Sequence, residues 1–198
     1  MGVIAIIIGY LLGSIPTGII VTKWMRGVDI RNFGSGSTGA TNVLRTTGKK
    51  AAALVFSVDI IKGVLSIWIA RDYLSVSPWW TGLAGLLAVI GHNFPIFSQF
   101  RGGKGVATAL GIFTALFPIS TLIGLIIWII CIAIWRYVSL GSIISAALIP
   151  ALSLISTKPG PYLLFTCLIS LLIIYRHKDN IKRLLKGQES KLGEKASS

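Results

Sequence analysis

The sequence predicts an all-α integral membrane protein with seven transmembrane helices, an external N-terminus and a cytoplasmic C-terminus. Of its 198 residues 54% are hydrophobic and only 13% are charged, and the mean hydropathy is +0.80. Several stretches approach the ~20 apolar residues that cross a bilayer. This composition excludes a soluble enzyme, a secreted disulfide scaffold and a disordered tail. We expect one membrane domain over residues 1–198, with a basic cytoplasmic tail from about residue 176.

Five stretches are each read as one span. They are residues 3–22, 51–70, 81–97, 138–156 and 162–175. Residues 106–135 would form a helix of about 45 Å, which is too long for one span and short for two. Pro118 lies near the middle of this stretch, and a turn there gives seven spans in total.

The basic residues decide between six and seven spans. Cytoplasmic segments of membrane proteins hold most Lys and Arg side chains. Seven spans place the first polar loops and the tail, with its seven cations, on the same side, whereas six spans would put the tail outside. Within the spans, we expect kinks at Pro16 and Pro150 and a close helix contact through Ala5, Gly9 and Gly13.

A first polar segment covers residues 31–45 and contains Gly34, Gly36 and Gly39. No strand precedes these glycines, so a dinucleotide-binding fold is disfavoured. A glycine- and hydroxyl-rich turn before a helix can instead bind phosphate through free backbone N–H groups, with Arg45 as a fork-shaped donor. The alternative is a flexible loop in which Ser37 or Thr38 caps an ordinary helix.

A second polar segment, residues 91–108, places Gly102, Gly103 and Gly105 around Lys104. This pattern indicates an anion-binding nest at a helix N-terminus, or else a tight re-entry turn. It is not a Walker A motif, because Gly105 stands where Ser or Thr should follow the lysine. We interpret His92 as a hydrogen-bonded structural histidine.

A third polar segment covers residues 177–189, where His177 and Asn180 share one helical face. Lys178, Lys182 and Lys186 form a separate stripe that favours contact with lipid headgroups. An interfacial helix without a site is the alternative interpretation. The net charge of +13 favours anionic lipid or anionic substrates over nucleic acid.

Within the second span, Asp59 and Lys62 are predicted to neutralise each other. Cys131 and Cys167 are interpreted as packing residues, because no other metal-binding side chain lies at ligand spacing. Paired acidic clusters that would hold Mg²⁺ are missing, so we expect no metal and no cofactor.

The three segments in this order, together with residues 13–18, closely resemble the bacterial acyl-phosphate:glycerol-3-phosphate acyltransferases over nearly the whole chain. Two positions depart from the family pattern, since Ser37 stands where many members have Asn and Arg101 where Lys is common. The resemblance implies acyl transfer from a fatty acyl phosphate to the 1-hydroxyl of glycerol 3-phosphate, giving lysophosphatidic acid and phosphate. It also implies a bacterial inner-membrane location, a site facing the cytoplasm, and no requirement for acyl-CoA or acyl carrier protein. In agreement, Phe97 and Lys182 stand where an H-x-x-x-x-D motif would need Asp.

The resemblance and the local chemistry assign the candidate site residues. The glycerol phosphate pocket is assigned to Ser35, Arg45, Lys104, His177 and Asn180. Phosphate contacts to either substrate are assigned to Gly36, Ser37, Thr41, Asn42, Gly102, Gly103 and Gly105. Glu189 is assigned a structural part, pairing with a basic loop residue. Either His177 or the donor's own phosphate accepts the hydroxyl proton, and we favour the second, substrate-assisted route. The rival function class is an anion transporter or lipid flippase.

Overall fold

The computed structural model describes residues 1–156, 158 and 160–194, and all regular elements in this part of the chain are helical. The α-helices are α1 (Gly2–Ser14), α2 (Thr17–Arg26), α3 (Ala40–Thr46), α4 (Lys49–Trp68), α5 (Pro78–Asn93), α6 (Val106–Leu116), α7 (Pro118–Trp135), α8 (Val138–Ser153), α9 (Gly160–Arg176) and α10 (Lys178–Leu185). One π-helical turn, Ile69–Tyr73, extends α4, and short 3-10 turns lie at Ile30–Asn32 and Ile96–Ser98.

Within the described residues, four helical segments are long and apolar enough to cross a membrane. They are Gly2–Arg26, Lys49–Tyr73, Pro78–Ser98 and Pro118–Trp135. The α9 and α10 helices give a fifth candidate if they count as one span bent by 54°, and α6 and α8 are shorter apolar helices. These helices overlap the apolar stretches predicted from the sequence, but among the described residues only four, or five with the bent pair, have the length and hydropathy of a span. The 11 residues of α6 measure only about 17 Å, which is less than the thickness of the hydrocarbon core.

The sequence predicts a turn at Pro118 and kinks at Pro16 and Pro150. At the first two of these prolines the structure has a break between two helices. Pro118 is the first residue of α7, and Phe117 alone separates it from the end of α6. At Pro16 the chain leaves α1 and enters α2. Proline lacks an N–H donor and clashes with the preceding turn, so both breaks follow from the sequence. By contrast, α8 continues as a helix through Pro150.

The α1 and α5 helices form the most extensive helix contact. A side chain at Gly9 would collide with the carbonyl oxygen of Ala84, and one at Gly13 with that of Ala88. The predicted small-residue contact is therefore confirmed, with α5 as the partner helix.

A second close contact joins α4 to α6 through two glycines. A side chain at Gly63 of α4 would collide with the carbonyl oxygen of Thr108, and one at Gly111 of α6 with that of Ile60. Because Thr108 lies in the first turn of α6, this contact fixes the middle of α4 beside the loop that precedes α6.

The remaining helices complete a bundle with an apolar outer face. The α7 helix packs on α8, α8 on α9, and α9 on α5. Ile119, Leu122, Ile126 and Ile130 of α7 are between 48% and 76% exposed. Exposed apolar side chains at this spacing are typical of a helix that faces lipid.

The three polar segments meet at one end of the bundle. Arg31 of the first segment donates to the carbonyl of Ser98 in the second. Lys104 of the second segment donates to Asn180 of the third. The structure thus brings together the three segments that the sequence places on one face.

Candidate active site

Asn42 organises the loop between α2 and α3. Its side-chain nitrogen donates to the carbonyls of Phe33 and Ser37, each at 2.9 Å. Its Oδ1 accepts the N–H of Ser35 at 3.1 Å. Because the amide of Asn42 is used within the loop, this residue acts mainly by shaping the segment that carries Ser35 and Ser37.

The N-terminus of α3 is not capped by Ser37 or Thr38, which was the alternative interpretation of the first polar segment. Gly39, and not Ser37 or Thr38, is the N-cap residue, and no side chain caps the helix. The Oγ of Ser37 instead accepts the N–H of Gly39 at 3.3 Å, outside the helix. Thr41 and Arg45 are four residues apart on α3, so they lie on the same side of the helix and both line the cavity described below.

The glycine loop before α6 is held by hydrogen bonds to both backbone groups of Gly103. Its N–H donates to the carbonyl of His92 at 3.1 Å, and its carbonyl accepts from Nη2 of Arg176 at 2.9 Å. Gly105 caps α6 with φ 82°, a left-handed conformation that only glycine adopts without strain. Lys104 lies between these fixed points, so the position of its side chain is set by the loop.

His177 lies at the 54° bend between α9 and α10. Its Nδ1 is 2.8 Å from the carbonyl oxygen of Ile173. Because a carbonyl only accepts hydrogen bonds, Nδ1 carries the proton and Nε2 is left as an acceptor in the neutral ring. Asn180, one turn further on, accepts a hydrogen bond from Nζ of Lys104 through Oδ1.

Glu189 connects α8 and α10 from the segment after α10. Its carboxylate accepts from Oγ of Ser139 at 2.7 Å, from Nδ2 of Asn180 at 2.6 Å and from Nε of Arg183 at 2.7 Å. The side chain is 5% exposed. The structure therefore shows the ion pair expected for Glu189, although its basic partner lies on a helix and not in a loop.

A cavity of about 120 Å³ lies between these elements. All five residues assigned to the glycerol phosphate pocket line it. Other predicted residues on its wall are Ser37, Thr41, Asn42, Gly105 and Glu189.

Three predicted glycines lie away from this cavity. Gly36 and Gly102 line a second, open cleft of about 550 Å³. Its other walls include the basic residues Arg31, Arg101, Arg176 and Lys178, and it shares Ser35, Ser37 and Lys104 with the first cavity. Gly103 is not among the residues lining either space, since it packs against His92.

Burial alters the protonation of the ionisable groups in the cavity. It lowers the pKa of Lys104 to about 8. Burial, assisted by the charge of Lys104, lowers the pKa of His177 to about 4, so this ring is neutral at pH 7. For Glu189, burial opposes ionisation, but the hydrogen bonds from Ser139, Asn180 and Arg183 outweigh it and lower the pKa. The cavity thus combines fixed cations with a neutral histidine.

The match to a known family covers almost the whole chain. A family model described as glycerol-3-phosphate acyltransferase matches residues 3–187. The chain belongs to the glycerol-3-phosphate acyltransferase family. The resemblance inferred from the three polar segments is therefore confirmed.

Individual glycerol-3-phosphate acyltransferases are similar over their full length. The one from Synechococcus elongatus is 43% identical over 206 residues, which cover 100% of this chain and 98% of the relative. The crystal structure of PlsY (YgiH), an integral membrane glycerol 3-phosphate acyltransferase, in its glycerol 3-phosphate form has a TM-score of 0.92 at 42% identity, covering 97% of this chain and 96% of PlsY. The lysophosphatidic acid form of PlsY has a TM-score of 0.90 at 41% identity, with coverage of 97% and 95%. This chain is therefore an integral membrane protein of the same fold.

An apolar groove adjoins the cavity of this glycerol-3-phosphate acyltransferase family member. It has a volume of about 50 Å³ and runs between α6, α7 and α8. Phe56, Val106, Trp128 and Ser142 line both spaces, so the polar cavity continues into the groove. Ala109 and Ala146 line the groove away from this junction.

Asp59 and His92 are among the residues of the cavity wall that were not assigned to the site from the sequence. The predicted pairing of Asp59 with Lys62 is confirmed at 2.8 Å. His92 forms a hydrogen bond, as expected, but its partner is Lys62 of the same ion pair, at 2.9 Å. The available signal was the presence of two ionisable residues in an apolar span, which by default indicates a functional site.

Proposed function

We propose that this protein transfers a fatty acyl group from an acyl phosphate to the 1-hydroxyl of glycerol 3-phosphate. The bond between the carbonyl carbon and the phosphate oxygen breaks, and an ester bond to the hydroxyl oxygen forms. The products are lysophosphatidic acid and inorganic phosphate. The main supporting observation is one cavity, lined by Arg45, Lys104 and His177, that continues into an apolar groove.

The glycerol phosphate lies in the cavity between Ser35, Arg45, Lys104, His177 and Asn180. Arg45 offers a planar fork that matches two phosphate oxygens, and Lys104 adds a point charge. The second substrate also carries a phosphate, so the two anions repel each other. The cations of the cavity and of the adjoining basic cleft offset this repulsion.

The donor phosphate lies against the glycine-rich loops. Backbone N–H groups at Ser37, Gly102 and Gly105, with the hydroxyl of Thr41, provide donors for either substrate phosphate. The N–H groups of Gly36 and Gly103 donate to the carbonyls of Phe33 and His92, so these two glycines act by shaping their loops. Asn42 contributes indirectly, because its amide holds the first loop. The charge that a bound metal supplies in other phosphate-binding enzymes is supplied here by Arg45 and Lys104, so the reaction proceeds without a metal.

The hydroxyl proton passes to the leaving phosphate. A histidine whose pKa is about 4 is a weak base at neutral pH. His177 instead accepts a hydrogen bond through Nε2 and orients the hydroxyl toward the acyl carbonyl. Acyl phosphates are activated mixed anhydrides, so positioning and charge neutralisation supply most of the catalysis.

The acyl chain occupies the apolar groove between α6, α7 and α8. This arrangement presents the reactive end of an amphiphilic donor to the polar cavity while its tail stays in apolar surroundings. We place the site on the cytoplasmic face of the bacterial inner membrane, with seven crossings and an external N-terminus. The clustering of basic residues at this end of the bundle supports that orientation.

The decisive experiment uses purified protein in nanodiscs. Labelled glycerol 3-phosphate is supplied together with one of three acyl donors: palmitoyl phosphate, palmitoyl-CoA or palmitoyl-acyl carrier protein. Each reaction is run with and without EDTA. We expect labelled lysophosphatidic acid from palmitoyl phosphate alone, unchanged by EDTA. Lys104→Met should lower the rate of product formation by about 10²- to 10³-fold, to a residual but measurable rate. Lys186→Met, which removes an exposed tail lysine, should leave the rate unchanged. Product from a thioester donor would refute the donor assignment, and anion flux without product would favour a transporter.

A further inference from the structure

Asp59, Lys62 and His92 form a buried cluster between α4 and α5. Nζ of Lys62 lies 2.8 Å from Oδ1 of Asp59 and 2.9 Å from Nδ1 of His92. The same ammonium also donates to the carbonyl of Ile15, at 3.4 Å, where α1 ends. The side chains of Asp59, Lys62 and His92 are 2%, 4% and 7% exposed.

The chemistry of Lys62 fixes the protonation of the His92 ring. An ammonium has three donors and no acceptor, so Nδ1 of His92 must accept the hydrogen bond and carry no proton. The proton of the neutral ring then lies on Nε2. His177 has the opposite arrangement, because its Nδ1 donates to the carbonyl of Ile173.

His92 supports the glycine loop from two directions. Its carbonyl accepts the N–H of Gly103 at 3.1 Å. Its ring lies against the same residue, since a Cβ added to Gly103 would collide with Nε2 of His92. On the far side, Arg176 holds the carbonyl of Gly103. The next residue is Lys104, so the ring orientation of His92 sets where Lys104 enters the cavity.

Burying the charged side chains of Asp59 and Lys62 between α4 and α5 costs free energy, because both charges lose their contact with water. Replacing such a pair by apolar residues of similar size is often neutral or stabilising, so stability alone does not account for Asp59 and Lys62. Both Asp59 and His92 reach the cavity wall. The cluster is therefore placed to act on the site.

We propose that Asp59, Lys62 and His92 are positioning residues for the acyl transfer. Asp59 holds Lys62, Lys62 fixes the ring of His92, and the ring holds Gly103 so that Lys104 points at the substrate phosphates. None of the three needs to touch a substrate. This inference rests on the proposed function, because it assigns the cluster to the same site.

The kinetic test removes both charges at once, in Asp59→Leu/Lys62→Met. We expect a folded protein whose kcat/KM falls by about 10- to 100-fold, as expected for a displaced binding group. Because the cluster acts through Lys104, the same double change should cost almost nothing further when Lys104→Met is already present. The matched control is Arg71→Met/Asp72→Asn, which removes an ion pair of 2.9 Å outside the site and should leave kcat/KM unchanged.

The spectroscopic test uses ¹⁵N-labelled histidine, since the chain contains two histidines. We expect the ring of His92 protonated on Nε2 and that of His177 on Nδ1, with a His177→Gln sample to assign the signals. The Asp59→Leu/Lys62→Met protein should show mixed tautomers for His92 alone. A proton on Nδ1 of His92 in the unaltered protein would overturn the proposal, as would full activity of the double variant.

A single substitution, His92→Asn, tests the same proposal if the double variant Asp59→Leu/Lys62→Met does not fold. Asn at position 92 can accept from Lys62 near the position of Nδ1, but it is too short to support Gly103. His92→Asn should therefore fold and lose about as much activity as the double variant, and unchanged activity would refute the proposal. If the unaltered protein transfers no acyl group at all, the proposed function fails, whereas the tautomer of His92 still reports on the cluster.

Discussion

Arg45 and Ser190 are 145 positions apart in the sequence, yet Nη2 of Arg45 donates to the backbone carbonyl of Ser190 at 3.1 Å. This bond ties a phosphate-binding candidate to residues 188–194, which we call the strap. The strap is also held at Arg136, whose carbonyl accepts the N–H of Leu192 at 2.7 Å and whose Nη2 donates to the Leu192 carbonyl at 2.9 Å. A guanidinium has five N–H donors, so Arg45 can hold the strap and a phosphate together.

Glu189 should be the main stabilising residue of the strap. In Glu189→Ala, the buried amide of Asn180 and the hydroxyl of Ser139 lose their acceptor and Arg183 loses its counter-ion. We expect the free energy of unfolding to fall by about 1–3 kcal/mol, mainly because buried polar groups are left without an acceptor, since Arg183 is 41% exposed and can be solvated. Tryptophan fluorescence during thermal unfolding in detergent measures the effect. Glu194→Gln, at an exposed position of the strap, is the control, and equal melting temperatures for the two variants would contradict the prediction.

The pKa of Lys104 predicts loss of substrate binding at alkaline pH. Burial lowers this pKa to about 8, so the ammonium is present at pH 7 and is lost as the pH rises through 8. The alkaline limb of kcat/KM, which reports groups of the free enzyme, should therefore fall near pH 8. Lys104→Arg keeps its charge and should move this limb upward by more than one pH unit. An alkaline limb at the same pH in both proteins would show that another group titrates.

His177→Gln distinguishes orientation from base catalysis. The glutamine oxygen can accept a hydrogen bond near the position of Nε2, but it cannot take a proton at neutral pH. We expect kcat to fall by less than tenfold, whereas loss of a general base would cost about 10²- to 10⁴-fold. Since the pKa of His177 is about 4, kcat of the unaltered enzyme should also lack an acid limb from this group above pH 5. Steady-state rates from pH 5 to 9 test both points.

Gly63 and Gly111 should be sensitive to single methyl groups. Each Cβ would collide with a backbone carbonyl of the facing helix, so Gly63→Ala and Gly111→Ala must separate α4 from α6. Overpacking of this kind costs about 1–3 kcal/mol, and both variants should unfold at lower temperature. Gly160→Ala adds a methyl group with nothing within 4 Å. It should leave the midpoint unchanged, and a similar drop there would argue against the steric explanation.

Filling the apolar groove should change the preference for acyl-chain length. Ala146 is 4% exposed and lines the groove away from the polar cavity. Ala146→Phe should lower the ratio of palmitoyl to octanoyl phosphate turnover by about tenfold, because a shortened pocket rejects the extra methylenes. Competition between the two donors in one reaction measures the ratio directly. If both donors slow equally, the acyl chain lies elsewhere.

Local signals in the sequence predicted the helices well. The start of α6 at Val106 and the break at Pro118 both follow from residues at those positions, because a glycine cap and a missing N–H donor act within one turn. The three polar segments were also recognisable, since their glycines and cations stand apart from the apolar spans.

Contacts between distant segments were not predictable in this way. The link from Lys62 to His92 depends on how α4 packs on α5, and the engagement of the Asn42 amide depends on the folded path of its loop. For the same reason the sequence could assign Glu189 a basic partner without showing that Asn180 and Ser139 share its carboxylate. Pairing of polar groups is set by the tertiary fold, which periodicity alone does not determine.

The strap also has a consequence for biosynthesis. Glu189 supplies the acceptor for Asn180 and the counter-ion for Arg183, and ribosomes build a chain from its N-terminus. The loop with Ser35 is therefore synthesised long before the carboxylate of Glu189 on the opposite wall of the cavity exists. A nascent chain still lacking residue 189 leaves Asn180 and Arg183 without their acceptor, so the proposed site can be complete only after residue 189 has been translated.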